Sequence, residues 1–317
     1  MQKLLVLCGP TGTGKTDLAL LLGKKFNGEV VSADSRQVYI GMDIGTGKEI
    51  QSSEFRVQKE RGKWIVNDIP IYGYDVKKPD DRFSLAEYQQ LALERIKEIH
   101  SRGKLPILVG GTGLYIQAVT EGLHIPKAPP DFKLREKLEN ERIEVLLADL
   151  EKYDPQTYQK IDKNNKRRIV RALEVYYQLG QPFSKLQEKY LKIDFDILKI
   201  GLTAEREILY QTNDQRVDNW FKLGFVAEVK TLLKKYSLDL PSLSSLGYRQ
   251  VAMYIMDKLT LEEAKQRIKF DIHGYVRRQL TWFKRDRSIH WYEINMGKLK
   301  NEVAFLVEEW HNKKREN

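Results

Sequence analysis

The sequence predicts an α/β protein in which helices flank a parallel sheet and a mostly helical segment is inserted into the chain. Two observations predict this class. Wholly apolar strand segments alternate with helical segments over residues 1–121, and an apolar segment near residue 197 returns to strand character after a helical stretch. Strands that are apolar along their whole length are typical of a parallel sheet covered on both faces.

Strand and helix signals alternate in the first part of the chain. Three buried strands are predicted, KLLVLCG, EVVSAD and LPILVGG. Helices are predicted over 16–26 and 84–101, and in the second of these the apolar positions recur at helical spacing. Between Ile50 and Asp81 the signal is weak, and the stretches WIV and IPIY indicate a hairpin at the edge of the sheet.

The segment 122–196 shows helical patterns in place of the alternating strands and helices, and it is predicted to be a helical insert. Three prolines mark its start, and a long helix is predicted over 131–153. A second helix, over 166–179, is followed by glycine and then proline, the order expected at a helix C-terminus. The stretch FDILKIGL then indicates a strand of the sheet, so 1–121 and 197–317 are predicted to form one core with C-terminal helices.

Composition is typical of a soluble globular protein. Of the 317 residues, 41% are hydrophobic and 31% are charged. The longest apolar runs have five residues, far fewer than the roughly 18 to 20 that a membrane span needs. The single cysteine, Cys8, excludes an internal disulfide and a cysteine-only metal site. We expect a cytoplasmic protein that does not bind membranes, with a monomer as the default.

The net charge of +10 is unevenly distributed. Residues 1–121 and 122–196 each carry +2, whereas 197–317 carries +6. Within the last part, 265–287 holds eight lysines or arginines against two aspartates, with four aromatic residues interleaved. A basic surface with aromatic spacing favours a polyanionic partner, and nucleic acid before membrane. An ordinary solvated helix face is the alternative.

The glycine-rich segment 9–16 carries the strongest chemical signal. GPTGTGKT fits the phosphate-loop pattern G-x-x-x-x-G-K-[ST] and lies between a predicted strand and a predicted helix, as that pattern requires. The glycines let backbone N–H groups turn around a phosphate, Lys15 adds a positive charge, and the helix N-terminus adds its dipole. Thr16 is the candidate ligand of Mg²⁺. The core is therefore predicted to be of the P-loop type and to bind a di- or triphosphate chain.

Two further strand ends are candidates for the site. Asp34 follows the second strand, at the edge where open parallel sheets place ligands, and its carboxylate can accept a proton or a metal ion. The alternative is that Asp34 only caps the following turn. The third strand ends in GGTG, residues 110–113, where glycine lets the backbone approach a ligand. No carboxylate stands there, so Asp34 is the one candidate for the acidic group that a nucleoside triphosphatase needs for its magnesium.

Arginines at defined positions are suited to phosphate contacts. Arg167, Arg168 and Arg171 lie in the second helix of the insert, where Arg167 and Arg171 share a face because they are four residues apart. Arg216 and Arg249 lie near glycines or helix ends. For any one of them alone, a solvated surface position is the alternative. The five histidines show no spacing typical of a metal site, so no zinc site is predicted.

Six strings of the sequence together carry a family resemblance. They are, in chain order, GPTGTGKT, VVSADSRQVYIGMDIGTGK, LPILVGGTGLY, RALEVY, SLGYRQ and RRQLTWFKR. With these strings the sequence resembles the tRNA dimethylallyltransferases, also called tRNA isopentenyltransferases, in a bacterial-type form. The resemblance implies transfer of a dimethylallyl group from its diphosphate to N6 of the adenosine just 3′ of a tRNA anticodon, with Mg²⁺ and release of diphosphate. The sequence departs from the family in GKEI after GMDIGT and in GTG within the loop.

The resemblance also implies roles for individual residues. Asp34 would take the N6 proton, and Arg216, Thr16 and Lys15 would act on the diphosphate. The implied diphosphate-binding residues are Gly9, Pro10, Thr11, Gly12, Thr13, Gly14, Lys15 and Thr16. The predicted tRNA-binding residues are Asp34, Ser35, Arg36, Gln37, Thr112, Arg135, Arg167, Arg168, Arg171 and Arg249. The partners are therefore dimethylallyl diphosphate and the anticodon arm of a tRNA, which the insert would contact.

Two alternative functions stay open at this point. An ATP-dependent small-molecule or nucleotide kinase uses the same kind of loop on a similar sheet, and the arginines of the insert would then form its lid. An RNA-binding protein switched by a nucleoside triphosphate would show nucleotide-dependent affinity for RNA and no group transfer.

Overall fold

The computed structural model describes residues 1–48, 56–126, 128–187, 193–294 and 297–313. The strands in these residues are β1 (Gln2–Cys8), β2 (Gly28–Ser32), β3 (Val57–Glu60), β4 (Lys63–Val66), β5 (Ile69–Tyr72), β6 (Leu105–Val109), β7 (Phe195–Thr203) and β8 (Ile289–Glu293). The helices are α1 (Lys15–Lys25), α2 (Leu85–Ser101), α3 (Gly113–Thr120), α4 (Phe132–Asn140), α5 (Ile143–Tyr153), α6 (Pro155–Lys160), α7 (Lys166–Leu179), α8 (Phe183–Gln187), α9 (Arg206–Lys222), α10 (Phe225–Leu233), α11 (Tyr248–Ile255), α12 (Leu261–Phe283) and α13 (Leu299–Asn312).

All eight strands of the described residues belong to one sheet, in the order β3-β4-β5-β2-β6-β1-β7-β8. The six strands from β5 to β8 in this order run parallel, whereas β4 pairs antiparallel with both β3 and β5. The predicted α/β class with a parallel sheet is confirmed. WIV and IPIY do form a hairpin, but its position at the edge was wrong, because β3 adds outside β4 and β5 pairs with β2.

The central strands are buried because helices cover the sheet. Leu5 and Leu7 of β1 pack in one apolar cluster with Leu18 and Leu22 of α1 and with Val303 of α13. The helix α2 contacts β2 and β6. Since β1 leads directly into the segment before α1, the N-terminus of α1 lies at the carboxyl ends of the parallel strands, where open α/β sheets bind ligands.

Two further expectations about elements were wrong. The helix predicted over 131–153 is interrupted, because Glu141 and Arg142 have extended backbone between α4 and α5. Lys166 stabilises the break by donating from Nζ to the carbonyl oxygens of Glu139 and Glu141, at 2.6 and 2.5 Å. The strand β8 was missed within a region predicted to be mostly helical, since of its five residues only Ile289 is buried and its short sequence lacks an apolar pattern.

The chain divides into two compact units, Met1–Ile116 together with Asp194–Asn317, and Gln117–Ile193. The smaller unit overlaps most of the segment 122–196 that the sequence assigns to an insert, and its described regular elements are helical. Its core joins α4, α5 and α7 through Leu138, Leu146, Leu150, Ile169 and Leu173.

A buried carboxylate links the helices of the smaller unit. The side chain of Glu174, in α7, is 0% exposed and accepts hydrogen bonds from Nε and Nη2 of Arg135 at 2.7 and 2.8 Å. It also accepts from Nη1 of Arg171 at 2.6 Å and from the backbone N–H of Asp131 at 2.8 Å. Burial alone would raise the pKa of Glu174, but the hydrogen bonds from the two arginines outweigh it and hold this pKa below its ordinary value.

Loss of this carboxylate should destabilise the protein. We expect Glu174→Ala to lower the free energy of unfolding by about 2 kcal/mol, below the 3–5 kcal/mol of a fully buried pair, because both arginines are partly exposed. Since the pKa of Glu174 is lowered by folding, its stabilisation is present above the unfolded pKa of about 4.3 and is lost as the pH falls below that value. Urea denaturation at pH 7 and at lower pH measures both effects.

The matched control for this prediction is Glu136→Gln, which neutralises an exposed carboxylate on α4. Glu174→Gln should remove part of the acid-dependent loss of stability, and Glu136→Gln should leave it unchanged. Equal acid profiles for the two variants would contradict the assignment of this stabilisation to Glu174.

Candidate active site

The predicted phosphate loop, residues 9–16, connects β1 to α1. Gly9, Gly12 and Gly14 have φ of 128°, 81° and 73°, values that favour glycine. A Cβ on Gly9 would lie 2.3 Å from the carbonyl oxygen of Leu202, so only glycine fits there. The loop ends where α1 begins, at Lys15, so backbone N–H groups and the positive end of the helix dipole meet at one place.

Lys15 is buried and turned onto its own loop. Its Nζ donates to the carbonyl oxygen of Pro10 at 2.6 Å and to the hydroxyl of Thr13 at 3.3 Å. Burial first, and then the positive charge of Arg216, lower the pKa of Lys15 to about 8. Because its partners in the loop are neutral oxygens, the ammonium group remains available to an anion.

Three side chains from later helices hold Thr11, the third residue of the loop. The backbone N–H of Thr11 donates to Oε1 of Gln279 at 2.9 Å, and its carbonyl oxygen accepts from Nδ2 of Asn213 at 3.1 Å. Its hydroxyl accepts from Nη1 of Arg216 at 2.8 Å. We call Asn213, Arg216 and Gln279 the Thr11 clamp. All the polar groups of this loop residue are thus fixed by α9 and α12.

Arg216 is the one member of the clamp that the sequence predicts, and the structure brings it to the loop. Asn213 and Gln279 were missed, although Asn213 is one helical turn before Arg216 and Gln279 lies in the string RRQLTWFKR. Both side chains are buried, 1% and 5% exposed. A buried amide side chain in a helix is a signal for a specific hydrogen bond, but burial is not visible in a single sequence.

The glycine turn after β6 is bound to the clamp as well. Nε2 of Gln279 donates to the carbonyl oxygen of Gly111 at 3.0 Å, and a Cβ on Gly111 would lie 2.3 Å from this nitrogen. The next residue, Thr112, donates from its backbone N–H to Ala33, and its hydroxyl accepts from the N–H of Ser35, both at 3.1 Å. The phosphate loop, the glycine turn and the segment around Asp34 are therefore connected by direct hydrogen bonds.

Asp34 is half-buried and caps its own turn. Its Oδ1 accepts from the backbone N–H groups of Arg36 at 2.8 Å and Gln37 at 3.4 Å. Asp34 therefore does cap the following turn, as the alternative from sequence predicted. Its second oxygen, Oδ2, takes no part in these bonds. Burial first, and then the negative charge of Asp34, raise the pKa of Tyr275.

The side chains of Tyr88, Tyr115 and Tyr275 lie near enough to this carboxylate for its charge to raise their pKa values, after the larger effect of burial. Tyr88 and Tyr115 stack with ring centroids 3.7 Å apart and planes at 16°, and the hydroxyl of Tyr88 donates to the carbonyl oxygen of Ser32 at 3.1 Å. Tyr275 shares a hydrogen bond with the side chain of Thr112. A carboxylate beside aromatic rings is suited to a planar group that carries an N–H donor.

Arg36 and Gln37, which the sequence assigns to tRNA binding with Ser35, have partners within the larger unit. Nη1 of Arg36 donates to the carbonyl oxygen of Pro241 at 2.9 Å. Oε1 of Gln37 accepts from the hydroxyl of Ser32 at 2.8 Å, and Nε2 lies 3.3 Å from the carbonyl oxygen of Thr46. Their role toward tRNA stays a prediction.

A buried lysine anchors the GMDIGT segment, a feature that sequence reasoning missed. Nζ of Lys48, 0% exposed, lies 2.8 Å from Asp43 and also binds Asp75. The preceding residue, Gly47, packs so tightly on Arg216 that a Cβ there would lie 1.6 Å from Nη2. Of the departure string GKEI, Glu49 and Ile50 lie outside the described residues.

Glu228 of α10 holds the same segment from the other side. It accepts hydrogen bonds from the backbone N–H groups of Asp43 and Ile44 at 3.1 and 2.8 Å and from the hydroxyl of Tyr248 at 2.7 Å. Burial raises the pKa of Glu228, although these bonds oppose the effect. The segment that packs against Arg216 is therefore held by Lys48 on one side and by Glu228 on the other.

The remaining predicted arginines are either exposed or hydrogen-bonded to other groups of the protein. Arg249 is exposed on α11, and Arg167 and Arg168 are exposed at the start of α7. In contrast, Arg135 and Arg171 are both bonded to Glu174, and Arg171 also donates to the carbonyl oxygen of Ala128 at 3.0 Å. The face that Arg167 and Arg171 were predicted to share is thus not equally available, and their contacts with tRNA stay predictions.

The residues at the loop fit a magnesium ion that is held mainly by its substrate. Among the described residues no group of three His, Cys, Asp or Glu side chains could hold a metal ion. Mg²⁺ keeps several waters and takes few protein ligands when it binds substrate phosphates. The half-buried hydroxyl of Thr16, at the start of α1, would be one such ligand beside the loop.

The fold and this geometry define a P-loop-type protein whose loop is suited to a phosphate chain and is connected, through Gln279 and Thr112, to the segment that carries Asp34. Within the described residues, no helix is both long and apolar enough to cross a membrane.

Comparison with known proteins identifies the family. The family model for IPP transferases matches residues 37–286. The tRNA dimethylallyltransferase of Dehalococcoides mccartyi is 45% identical over 300 residues, which cover 93% of this chain and 88% of that protein. The tRNA dimethylallyltransferase of Halothermothrix orenii is 43% identical over 304 residues, which cover 94% of this chain and 89% of that protein.

Solved structures agree with the sequence relatives. The tRNA isopentenylpyrophosphate transferase of Bacillus halodurans superposes with a TM-score of 0.71 at 35% identity, covering 98% of this chain and 97% of that one. A eukaryotic dimethylallyltransferase acting on tRNA gives a TM-score of 0.81 at 26% identity, covering 100% of this chain and 81% of that one. The chain belongs to the IPP transferase family. It is a prenyl-transferring enzyme, and the kinase alternative receives no support.

The pKa of Lys15 predicts how anion binding depends on pH. Since this pKa is lowered to about 8, the side chain loses its charge as the pH rises through 8, and the affinity for inorganic diphosphate should fall over the same range. Lys15→Arg keeps its charge to higher pH, so its affinity should fall less. Calorimetric titration of both proteins with diphosphate from pH 7 to about 9.5 measures the difference. Identical pH profiles would contradict a lowered pKa.

Proposed function

We propose that this protein transfers the dimethylallyl group of dimethylallyl diphosphate to N6 of the adenosine just 3′ of a tRNA anticodon and releases diphosphate. The observation that carries the proposal is the hydrogen-bonded connection between the phosphate loop and the Asp34 turn. This connection supports a leaving-group site at the loop that works together with Asp34 as a general base. The relatives named as tRNA dimethylallyltransferases support tRNA as the acceptor and dimethylallyl as the transferred group.

The leaving-group half consists of the loop, Lys15 and Arg216. The bond between C1 of the allyl group and the diphosphate oxygen breaks while positive charge spreads over the allylic carbons. The departing diphosphate gains negative charge, which the loop N–H groups, Lys15 and Arg216 stabilise because hydrogen bonds already hold the two side chains at the loop before the reaction. Thr16 would help to hold a Mg²⁺ ion, which would supply further neutralisation of that charge.

The acceptor half centres on Asp34. The exocyclic amine of adenine attacks C1, and its surplus proton passes to Asp34. Two backbone N–H groups hold Oδ1, so the carboxylate keeps its orientation and Oδ2 is the oxygen that takes the proton. The base has to leave its stack to reach the carboxylate, at a cost of a few kcal/mol, which aromatic contacts near Asp34 offset by stacking.

The basic parts of the chain serve tRNA binding in this proposal. The exposed arginines Arg167, Arg168 and Arg249 and the basic surface of α12 bind phosphates of the anticodon arm. The insert supplies Arg167 and Arg168, and the enzyme acts as a monomer in the cytoplasm, where its tRNA substrate is found.

A transfer assay tests the function. The protein is incubated with radiolabelled dimethylallyl diphosphate, Mg²⁺ and either of two tRNAs, one with and one without an adenosine next to the anticodon. We expect label only in the first. No label in either, together with ATP-dependent phosphorylation of a metabolite, would overturn the proposal in favour of a kinase. Nucleotide-dependent RNA binding without transfer would favour the switch protein.

Neutralising Asp34 should separate catalysis from binding. Asp34→Asn keeps an oxygen to accept from Arg36 and Gln37, so the turn is preserved, but it removes the base. We expect turnover to fall about 10²- to 10⁴-fold, with the affinity for tRNA unchanged within about twofold, as measured by single-turnover transfer and filter binding. A loss of affinity as large as the loss of turnover would make Asp34 a binding residue.

Replacing the two exposed arginines of α7 should change the salt dependence of tRNA binding. Arg167→Gln with Arg168→Gln should weaken binding and reduce the slope of log K against log salt by about 0.7 to 0.9 per lost contact. The matched control, Arg167→Lys with Arg168→Lys, keeps both charges and should keep the slope. If the glutamine pair also keeps the slope, these side chains are ordinary surface residues.

A further inference from the structure

Gln279 of the larger unit bonds a second loop in addition to its bond with Thr11. Its amide is 5% exposed and uses both of its polar atoms on backbone groups of two different loops. Oε1 accepts from the N–H of Thr11 at 2.9 Å, and Nε2 donates to the carbonyl oxygen of Gly111 at 3.0 Å. One side chain therefore bridges the phosphate loop and the glycine turn beyond the point where β1 and β6 pair.

Further hydrogen bonds connect the glycine turn to the segment of Asp34, the general base. Gly111 is followed by Thr112, whose hydroxyl accepts from the N–H of Ser35 at 3.1 Å, and Ser35 is the neighbour of Asp34 in the chain. The route from Thr11 to Asp34 thus contains two side chains, Gln279 and Thr112, and otherwise only backbone. Backbone bonds from Ala33 to Val109 and from Thr112 to Ala33 support the same connection, and among the described residues Gln279 is its one side-chain link to the phosphate loop.

The packing around the amide shows that its position is tightly constrained. A Cβ on Gly111 would lie 2.3 Å from Nε2 of Gln279, closer than any contact between such atoms. Glycine at this position therefore admits the amide between the two loops. A methyl group added at Gly111 would push the amide aside and disturb its two hydrogen bonds, although residue 279 would still be glutamine.

We infer that Gln279 is a positioning residue that aligns the departing diphosphate with the attacking amine. The inference rests on the proposed transfer reaction and adds to it a specific consequence. Alignment matters because the allylic carbon becomes cationic as the diphosphate leaves, and the nearest nucleophile then captures it. A displacement of about 1 Å is enough to lower the rate of an aligned reaction by about two orders of magnitude.

Misalignment has a measurable product. When the C1–O bond breaks with the amine out of line, water supplies the electron pair to C1, loses one proton to solvent and gives dimethylallyl alcohol, while the electrons of the broken bond leave with diphosphate. Atoms and charge balance as in hydrolysis of the ester. The ratio of diphosphate released to label transferred into tRNA therefore reports the alignment, and the fraction of folded protein does not affect this ratio.

The test compares that ratio in wild type and in Gln279→Met, which keeps the length of the side chain but removes both hydrogen bonds. With saturating tRNA we expect the ratio of diphosphate released to label transferred to rise about tenfold or more, while KM for tRNA stays within about twofold. Gly111→Ala should shift the ratio in the same direction, and it keeps the inference testable if Gln279→Met does not fold.

Gln250 provides the matched control. It is also a buried glutamine, 8% exposed, whose Oε1 accepts from the backbone N–H of Gly247 at 2.9 Å and whose Nε2 donates to Asp271. Gln250→Met removes an equivalent pair of bonds outside the route to Asp34, so it should lower stability and leave the ratio unchanged.

The outcomes separate this inference from the proposed function. If wild type transfers label and the ratio stays at the wild-type value in both Gln279→Met and Gly111→Ala, the positioning role is wrong and the transfer reaction stands. If Gln250→Met raises the ratio as much as Gln279→Met does, the effect is a general loss of rigidity and the inference is again overturned. If wild type itself transfers no label, the proposed function fails first.

Discussion

The hydrogen bonds on Thr11 are the contacts on which the rest of the site depends. A phosphate loop needs its backbone N–H groups to point in one direction, yet isolated glycine-rich segments have many conformations. Here Asn213, Arg216 and Gln279 bind the three polar groups of one loop residue from positions 202 to 268 residues further along the chain. The loop therefore acquires its shape only when α9 and α12 are in place.

Buried charged groups fix the segment that packs against Arg216 of the Thr11 clamp. Lys48 is fully buried between Asp43 and Asp75, and Glu228 accepts from the backbone of the same segment. Burying such groups is costly unless each one is paired, so the segment has one well-defined conformation in which Gly47 lies against Arg216. The smaller unit repeats the device with Glu174 and two arginines, which explains why some of its positive charge stabilises the unit.

Local pattern accounted for most of the fold. The apolar strands and the 3.6-residue periodicity identified β1, β2, β6 and β7, and α7 was predicted with its observed ends. The errors have physical causes. The break at Glu141 depends on Lys166, which is distant in sequence. The strand β8 is stabilised by pairing with β7 and has little apolar pattern of its own, so periodicity misses it.

The sequence by itself determined the phosphate loop, the carboxylate after the second strand and membership of a family, because these depend on residue types at short, fixed spacing. Only the tertiary structure decided which distant side chains complete the site. Asn213, Gln279 and Lys48 gain their roles from burial and from partners elsewhere in the chain, whereas Arg135 and Arg171, which look like phosphate ligands, are bonded to Glu174. A side chain's chemistry is set by its neighbours, and long-range packing chooses them.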